Sequence, residues 1–322
     1  MKILVVGGAG YIGSHMVLTL GAQGHEVVVL DDLSGGHRDA VLHGEFVEGS
    51  IADAALLDRL FEAHRFDGVM HFASFIQVGE SVLDPAKYYR NNFINTVTLL
   101  DAMLRHDVKR FIFSSTAAVY GEPQYVPIDE AHPRKPINPY GCSKRMVEQL
   151  LQDYDRAYGL KSVCLRYFNA AGADPQSRIG ERHEPESHLI PLVLQAAAGR
   201  RSHITVFGTD YDTPDGTCIR DYVHVLDLCD AHLRALDRLV QGAASDVFNL
   251  GNGAGFSIRD VIATAEAVTG RNIPVAEGPR RAGDPARLVA APDKAMSVLG
   301  WQPRHQALQI IVRDAWNFLQ QQ

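Results

Sequence analysis

The first thirteen residues restrict the fold more than any other stretch of the chain. An apolar run, Ile3-Leu4-Val5-Val6, passes straight into Gly7-Gly8-Ala9-Gly10-Tyr11-Ile12-Gly13 and then into a segment of helical period. Strand, glycine turn and helix in that order open a parallel α/β sheet. The alternation continues: Glu26–Leu30, Val69–Phe72, Arg110–Ser114 and Ser162–Leu165 read as strands, and Gly13–Gln23, Ala54–His64, Asn91–Arg105 and Ser143–Tyr158 as helices. From Ala170 the rhythm changes to Gly, Pro and charge. A helix follows around Ile190–Ala198, then a short strand, Ile204–Phe207, and a loop over Gly208–Thr217. The expected fold is α/β, a doubly wound parallel sheet over residues 1–168. A smaller C-terminal α/β substrate domain is expected over 169–322, with some segments returning to the first domain.

Glycines between a strand and a helix let the backbone approach a pyrophosphate, and the helix offers free N–H groups and its positive dipole end. Asp31 follows 18 residues beyond Gly13, at the end of the second strand. A carboxylate there accepts hydrogen bonds from ribose hydroxyls and repels a 2′-phosphate, so the turn predicts NAD rather than NADP. The later cluster Gly251-Asn252-Gly253-Ala254-Gly255 also follows a short strand, Val247–Leu250, with Ser257 placed to cap a helix. It has no acidic residue at the required distance, and reads as a loop near the substrate.

Composition removes several function classes. Of the 322 residues, 46% are hydrophobic and 21% charged, as in an ordinary globular protein, and the net charge of −7 argues against a nucleic-acid partner. The N-terminal apolar run ends after four residues, too short for a secretory signal, and no run approaches the length of a membrane span. Cys142, Cys164, Cys218 and Cys229 lack metal spacing and read as reduced thiols of a cytoplasmic protein. Among the 14 histidines, His183 and His188 flank the run Glu184-Pro185-Glu186-Ser187. Five residues apart with a proline between them, they do not match a zinc helix, so the run reads as a loop and no metal is expected.

Tyr140 and Lys144 lie four apart in Asn138-Pro139-Tyr140-Gly141-Cys142-Ser143-Lys144. Asn138 can cap a helix and Pro139 suits its first position, which puts both side chains on one face. A phenol must fall by roughly three pKa units, about 4 kcal/mol, to act as a base at neutral pH. A lysine ammonium, an oxidised nicotinamide and a helix N-terminus all favour the phenolate. Thr116, after Phe113-Ser114-Ser115, falls at a strand's C-terminal end, where its hydroxyl can relay a proton.

With these residues in hand, the chain resembles the extended short-chain dehydrogenase/reductase family, and within it the UDP-glucose 4-epimerases. The matching runs are Gly7–His15, Val78-Gly79-Glu80-Ser81, Phe111–Ser115 with Val119-Tyr120-Gly121, Tyr140–Lys144, Arg166-Tyr167-Phe168-Asn169, Asp215–His224 and Arg280–Asp284. The resemblance implies a Rossmann cofactor domain and inversion at C4 of a UDP-hexose through a 4-keto sugar, with NAD regenerated. It implies cofactor contacts from Gly7, Gly10, Tyr11, Ile12, Gly13 and Asp31, from Ser50 and Ile51, from Phe72 and Ala73, and from Asn91, Ser114, Tyr140, Lys144 and Tyr167. Arg220 and Arg281 are assigned to the diphosphate, Asp284 to the uridine ribose, and Phe168 and Asn169 to the wall facing the sugar. Thr116, Tyr140, His188, Leu189, Val206, Phe207, Tyr222 and Leu288 complete the expected substrate site. A homodimer is implied too, packed through Asn91–Arg105 and Ser143–Tyr158, the second carrying the stripe Met146, Val147, Leu150, Leu151 and Tyr154.

Three positions depart from the pattern. Ser50 replaces an acid, Ile76 falls where some relatives carry a lysine beside the cofactor phosphates, and Leu288 replaces a large tyrosine at the gate. The first two point to a cofactor that exchanges more readily; the third points to room for an N-acetyl group. Other readings are a UDP-N-acetylhexosamine or UDP-pentose 4-epimerase, a sugar-nucleotide 4,6-dehydratase and a non-catalytic NAD sensor. A dehydratase needs an acid and a base after the threonine, where this chain has Ala117-Ala118; a sensor need not keep Tyr140, Lys144 and Thr116 together.

Overall fold

The computed structural model describes residues 1–281 and 283–322. In chain order the first part runs β1 (Lys2–Val6), α1 (Tyr11–Ala22), β2 (Glu26–Asp31), β3 (Glu45–Glu48), α2 (Ala54–Ala63), β4 (Gly68–His71), α3 (Val78–Leu83) and α4 (Pro85–Tyr88). A π-helical turn, Tyr89–Ile94, leads into α5 (Asn95–Arg105), followed by β5 (Arg110–Thr116), α6 (Pro139–Tyr158) and β6 (Lys161–Tyr167). The helix expected from Asn91 therefore begins at Asn95. Asn92 is the reason: its buried amide accepts from Phe75 N–H at 2.9 Å and donates to Phe75 O at 3.0 Å, so the widened turn carries a tertiary bond.

Beyond Tyr167 come β7 (Asn169–Ala171), α7 (Leu189–Ala197), β8 (Ile204–Phe207), β9 (Ile219–Arg220), β10 (Tyr222–His224), α8 (Val225–Val240) and β11 (Asp246–Leu250). The chain ends with β12 (Phe256–Ser257), α9 (Ile258–Thr269), β13 (Val275–Gly278), β14 (Arg287–Leu288), α10 (Asp293–Leu299) and α11 (Leu308–Leu319). The main sheet has seven parallel strands in the order β11-β6-β5-β4-β1-β2-β3. Its last strand comes from beyond residue 168: β11 pairs along β6, Leu250 opposite Tyr167, after a crossover through α8.

The inner strands β1, β4, β5 and β6 are buried on both faces, which explains their continuous apolar runs in the sequence, whereas the edge strand β3 is partly exposed along its length. Ile3 and Val5 pack with Met16 and Leu20 of α1 and Leu228 and Leu236 of α8; Leu4 and Val6 pack with Leu57 of α2, Leu99 of α5 and Val147 and Leu151 of α6. A separate core joins Val193 and Leu194 of α7, Val261 of α9, and Ile311 and Val312 of α11. Ser257 and Asp260 form the reciprocal cap of α9. The glycine loop before it is pinned by the buried Asp221, whose carboxylate accepts from Asn252 N–H at 2.6 Å, Gly253 N–H at 2.9 Å and Ala290 N–H at 3.1 Å. A Cβ on Gly251 would sit 2.5 Å from Asp221 Oδ2, so this glycine makes room for the carboxylate. Among the described residues no helix is long and apolar enough to cross a membrane, and all four cysteines are unpaired.

Candidate active site

The C-terminal ends of β1, β4, β5 and β6 converge where such sheets hold their ligands. Gly7 has φ +77°, and a Cβ on it would lie 2.4 Å from Ala73 N, at the end of β4. A Cβ on Gly13 would lie 2.1 Å from Gly7 O, so these two glycines are required by the close approach of turn, strand and helix. Gly10 is the N-cap of α1 and supplies no side-chain acceptor, which leaves the amides of the first helical turn without a capping side chain. Asp31 is 8% exposed; Oδ2 accepts from Ala9 N–H and Oδ1 from Leu33 N–H, both at 2.8 Å. Open amides at a helix N-terminus beside a fixed carboxylate fit a dinucleotide, the amides toward its pyrophosphate and Asp31 toward a ribose.

Tyr11 spans the two parts of the chain, its hydroxyl donating to Gly172 O at 2.6 Å, while Ile12 packs against the core beneath α1. Ser50 is half-buried with Oγ accepting from Ala52 N–H at 3.3 Å, and Ile51 is buried in the core under β2. Phe72 lies 4.9 Å from the His232 ring, and Asn91 donates to Asn92 Oδ1 at 3.0 Å.

The end of the candidate site that holds Tyr140 and Lys144 is built on α6. Asn138 Oδ1 accepts from Gly141 N–H at 2.8 Å, and Pro139 occupies the first helical position. Tyr140 is half-buried in the first turn; Lys144 is 2% exposed one turn later. Lys144 Nζ donates to Ser74 Oγ at 2.6 Å and to Ser114 O at 2.8 Å, and lies 4.8 Å over the Phe113 ring. Burial pulls its pKa down to about 7, with Glu148 opposing. Burial pushes the Tyr140 phenol above its ordinary value, and a hydrogen bond with Thr116 works against that shift. Thr116 is the last residue of β5 and stands opposite Tyr167 of β6, whose hydroxyl is 2.5 Å from His232 Nε2. One residue back, Ser115 and Arg166 stand opposite each other, and both bond to Glu148.

In the second part, Arg220 Nη1 donates to Pro285 O at 2.9 Å, and its Nη2 lies 3.4 Å from Asp284 Oδ1. Arg281 is exposed with Cζ 3.9 Å from the centre of the Phe207 ring. Val206 and Tyr222 are buried; His188 occupies the N-cap position of α7 without a side-chain capping bond, and Leu189 begins the helix. Asn169 Nδ2 donates to Asp221 O at 3.0 Å, and Phe168 and Leu288 pack together on Val119, Tyr120 and Ile128. The structure thus brings Tyr140, Lys144, Thr116, Ser114 and Tyr167 together, and separately links Arg220 to Asp284 and Arg281 to Phe207. Sequence reasoning missed Ser74, Glu148 and Arg166. Glu148 was the findable one, a carboxylate one turn beyond Lys144 between the apolar Val147 and Leu151.

This fold and this site define a class, and the comparisons agree on it: residues 3–251 match the NAD dependent epimerase/dehydratase family, and the chain belongs to that family. It is 55% identical to the UDP-glucose 4-epimerase of Halalkalibacterium halodurans, over 99% of this chain and 95% of that one. It is similar to the UDP-glucose 4-epimerase of Brucella ovis in complex with NAD, with TM-score 0.97 and 50% identity over 98% of both chains. The UDP-Glc/GlcNAc 4-epimerase of Campylobacter jejuni matches with TM-score 0.88 and 44% identity over 99% of both chains.

Proposed function

We infer that this chain catalyses NAD-dependent, redox-neutral inversion at C4 of a UDP-hexose, interconverting UDP-glucose and UDP-galactose. The observation that carries the reading is the grip on Lys144, held by Ser74 and Ser114 behind the half-buried Tyr140, at the strand ends beyond the glycine turn. When bound, NAD supplies the acceptor and donor for the C4 hydride and, oxidised, a positive ring. Tyr140 takes the proton from the sugar 4-OH and returns it, with Thr116 relaying between hydroxyl and phenol. Lys144 supplies the positive charge that offsets the cost of a buried phenolate. Asp31 orients the adenosine ribose, and the amides of α1 meet the pyrophosphate. Arg220 and Arg281 hold the UDP diphosphate through guanidinium forks, Arg220 exchanging Asp284 for phosphate oxygens. Anchored there, the nucleotide stays bound while the 4-keto sugar turns over and presents its other face.

After Thr116 the chain turns through Ala117–Val119, a short 3₁₀ segment with no acid or base, which supports epimerisation over 4,6-dehydration. Leu288, which packs on the same small core as Phe168, favours a second substrate class, UDP-N-acetylhexosamines. The protein works as a homodimer through α5 and α6. The cofactor reading is tested by denaturing freshly purified protein. NAD or NADH should be released, and steady-state turnover should build up no NADH. Co-purified NADP, or NADH formed in step with sugar turnover, refutes it.

A further inference from the structure

Four side chains, one of them His188 of the expected substrate site, meet in the loop before α7. Glu181 and Glu186 keep only 5% and 6% of their side-chain surface exposed, and His183 keeps 19%. His188 Nδ1 touches Glu181 Oε1, and His183 Nδ1 lies 3.2 Å from the same oxygen and 3.7 Å from Glu186 Oε1. One ligand atom from each of the four falls within 4.8 Å of all the others. Atoms bound to a tetrahedral ion at 2.0–2.1 Å sit about 3.3 Å apart, so the widest pairs need to draw in by up to about 1.5 Å to close a coordination shell. His183 Nδ1 is buried and makes no aligned hydrogen bond, although two carboxylates lie within reach. Glu186 Oε1 is oriented by Ser187 N–H at 2.7 Å and His188 N–H at 2.8 Å, the kind of outer support that fixes a ligating carboxylate.

We propose that Glu181, His183, Glu186 and His188 form a binding site for one divalent transition-metal ion, zinc by preference. Two imidazoles and two carboxylates suit zinc and leave the harder calcium and magnesium poorly served. The helical spacing test fails here because the ligands come from a loop that folds back through Glu184-Pro185, so distance along the chain does not set distance in space. The bland alternative is a cluster of imidazolium–carboxylate pairs with no ion. The position gives the ion a structural role. The same loop is tied to the cofactor half by Arg182, which bonds both oxygens of Asp39 at 2.6 and 3.0 Å, and by His37 against Arg182 O at 3.2 Å. His183 also packs edge-on to Tyr11 at the start of α1. An ion here would lock the loop between the cofactor turn and the N-terminus of α7.

The test uses untagged full-length protein, treated with a chelator, dialysed and titrated with zinc chloride or cobalt chloride. One zinc per chain should bind, cobalt should develop the visible bands of a tetrahedral complex, and zinc should raise the melting temperature. His183→Ala should weaken zinc binding by more than about 100-fold, beyond the ~10–100-fold cost of losing an outer-shell partner. Glu181→Gln should do the same; if it fails to fold, His183→Ala, with its circular dichroism unchanged, decides alone. No stoichiometric zinc at micromolar concentration, or wild-type affinity in His183→Ala, overturns the site. The readout is metal content and not turnover, so the epimerase reading can stand or fall separately.

Discussion

Glu148 and Arg166 meet in a two-pronged pair, Arg166 Nε 2.8 Å from Glu148 Oε1 and Nη2 2.7 Å from Oε2, with both side chains 2% exposed. The pair lies one turn of α6 beyond Lys144. Glu148 also accepts from Ser115 Oγ at 2.7 Å and from Arg134 Nη1 at 3.1 Å, and Arg166 Nη1 donates to Tyr120 Oη at 2.7 Å. It therefore ties α6 to β5 and β6 one helical turn from Lys144.

Removing one partner strands a buried charge, which costs about 3–5 kcal/mol. Glu148→Ala should lose stability on that scale in urea, and Glu148→Ala with Arg166→Met should recover much of it. Equal losses in the single and double variants would show that the pair is not what the carboxylate contributes.

The sheet and the placement of Tyr140 and Lys144 one turn apart on a capped helix were legible because each depends on short-range pattern. Apolar runs, the glycine turn with Asp31, and Asn138-Pro139 before Tyr140 all act within a few residues of themselves. Lys144's grip was not legible: Ser74 is seventy positions upstream and meets it only because β4 and β5 are neighbours. The His and Glu loop shows the same limit, since spacing on a helix says nothing about side chains gathered by a turn. The start of α5 was misplaced because the bond that widens the turn at Asn92 comes from Phe75.

Lys144 sets a pH dependence of stability. Burial holds its pKa near 7 in the folded protein against 10.5 unfolded. Glu148 faces it from α6 and opposes that shift, Tyr140 lies a turn before it, and the His71 imidazole on β4 stays neutral, lowered to about 3 chiefly by burial. Between those two values the unfolded chain binds the extra proton, so this contribution makes stability rise with pH from about 7 toward 10, by at most about 1.4 kcal/mol per unit. Cofactor-stripped Lys144→Met lacks the term. Its urea midpoint should exceed that of wild type most at pH 6.5, and the gap should narrow by pH 9.5. Parallel profiles would place the ammonium in a wetter site.

Leu288 packs with Phe168 against Tyr120 and Ile128, at the expected gate. Leu288→Tyr should lower kcat/KM for UDP-N-acetylgalactosamine more than for UDP-galactose. The difference should be ~1–3 kcal/mol, the scale of one hydrophobic contact. Equal losses for both substrates would remove Leu288 from the gate.

On α6, Val147 and Leu151 are spent on the core, while Met146 is 40% exposed and Leu150 and Tyr154 are half-exposed; Ile94, just before α5, is 53% exposed. Sedimentation at micromolar concentration should show a dimer, and Met146→Arg should shift it toward monomer. A wild type that is monomeric throughout that range rejects the interface.

Tyr140 carries the central claim, and side-by-side turnover of UDP-galactose by wild type and Tyr140→Phe tests it most directly. Wild type should form UDP-glucose with no net NADH, and the variant, with its fold and NAD content unchanged, should be slower by about 100-fold or more. A variant that epimerises at the wild-type rate, or a wild type that forms no UDP-glucose, would contradict the account.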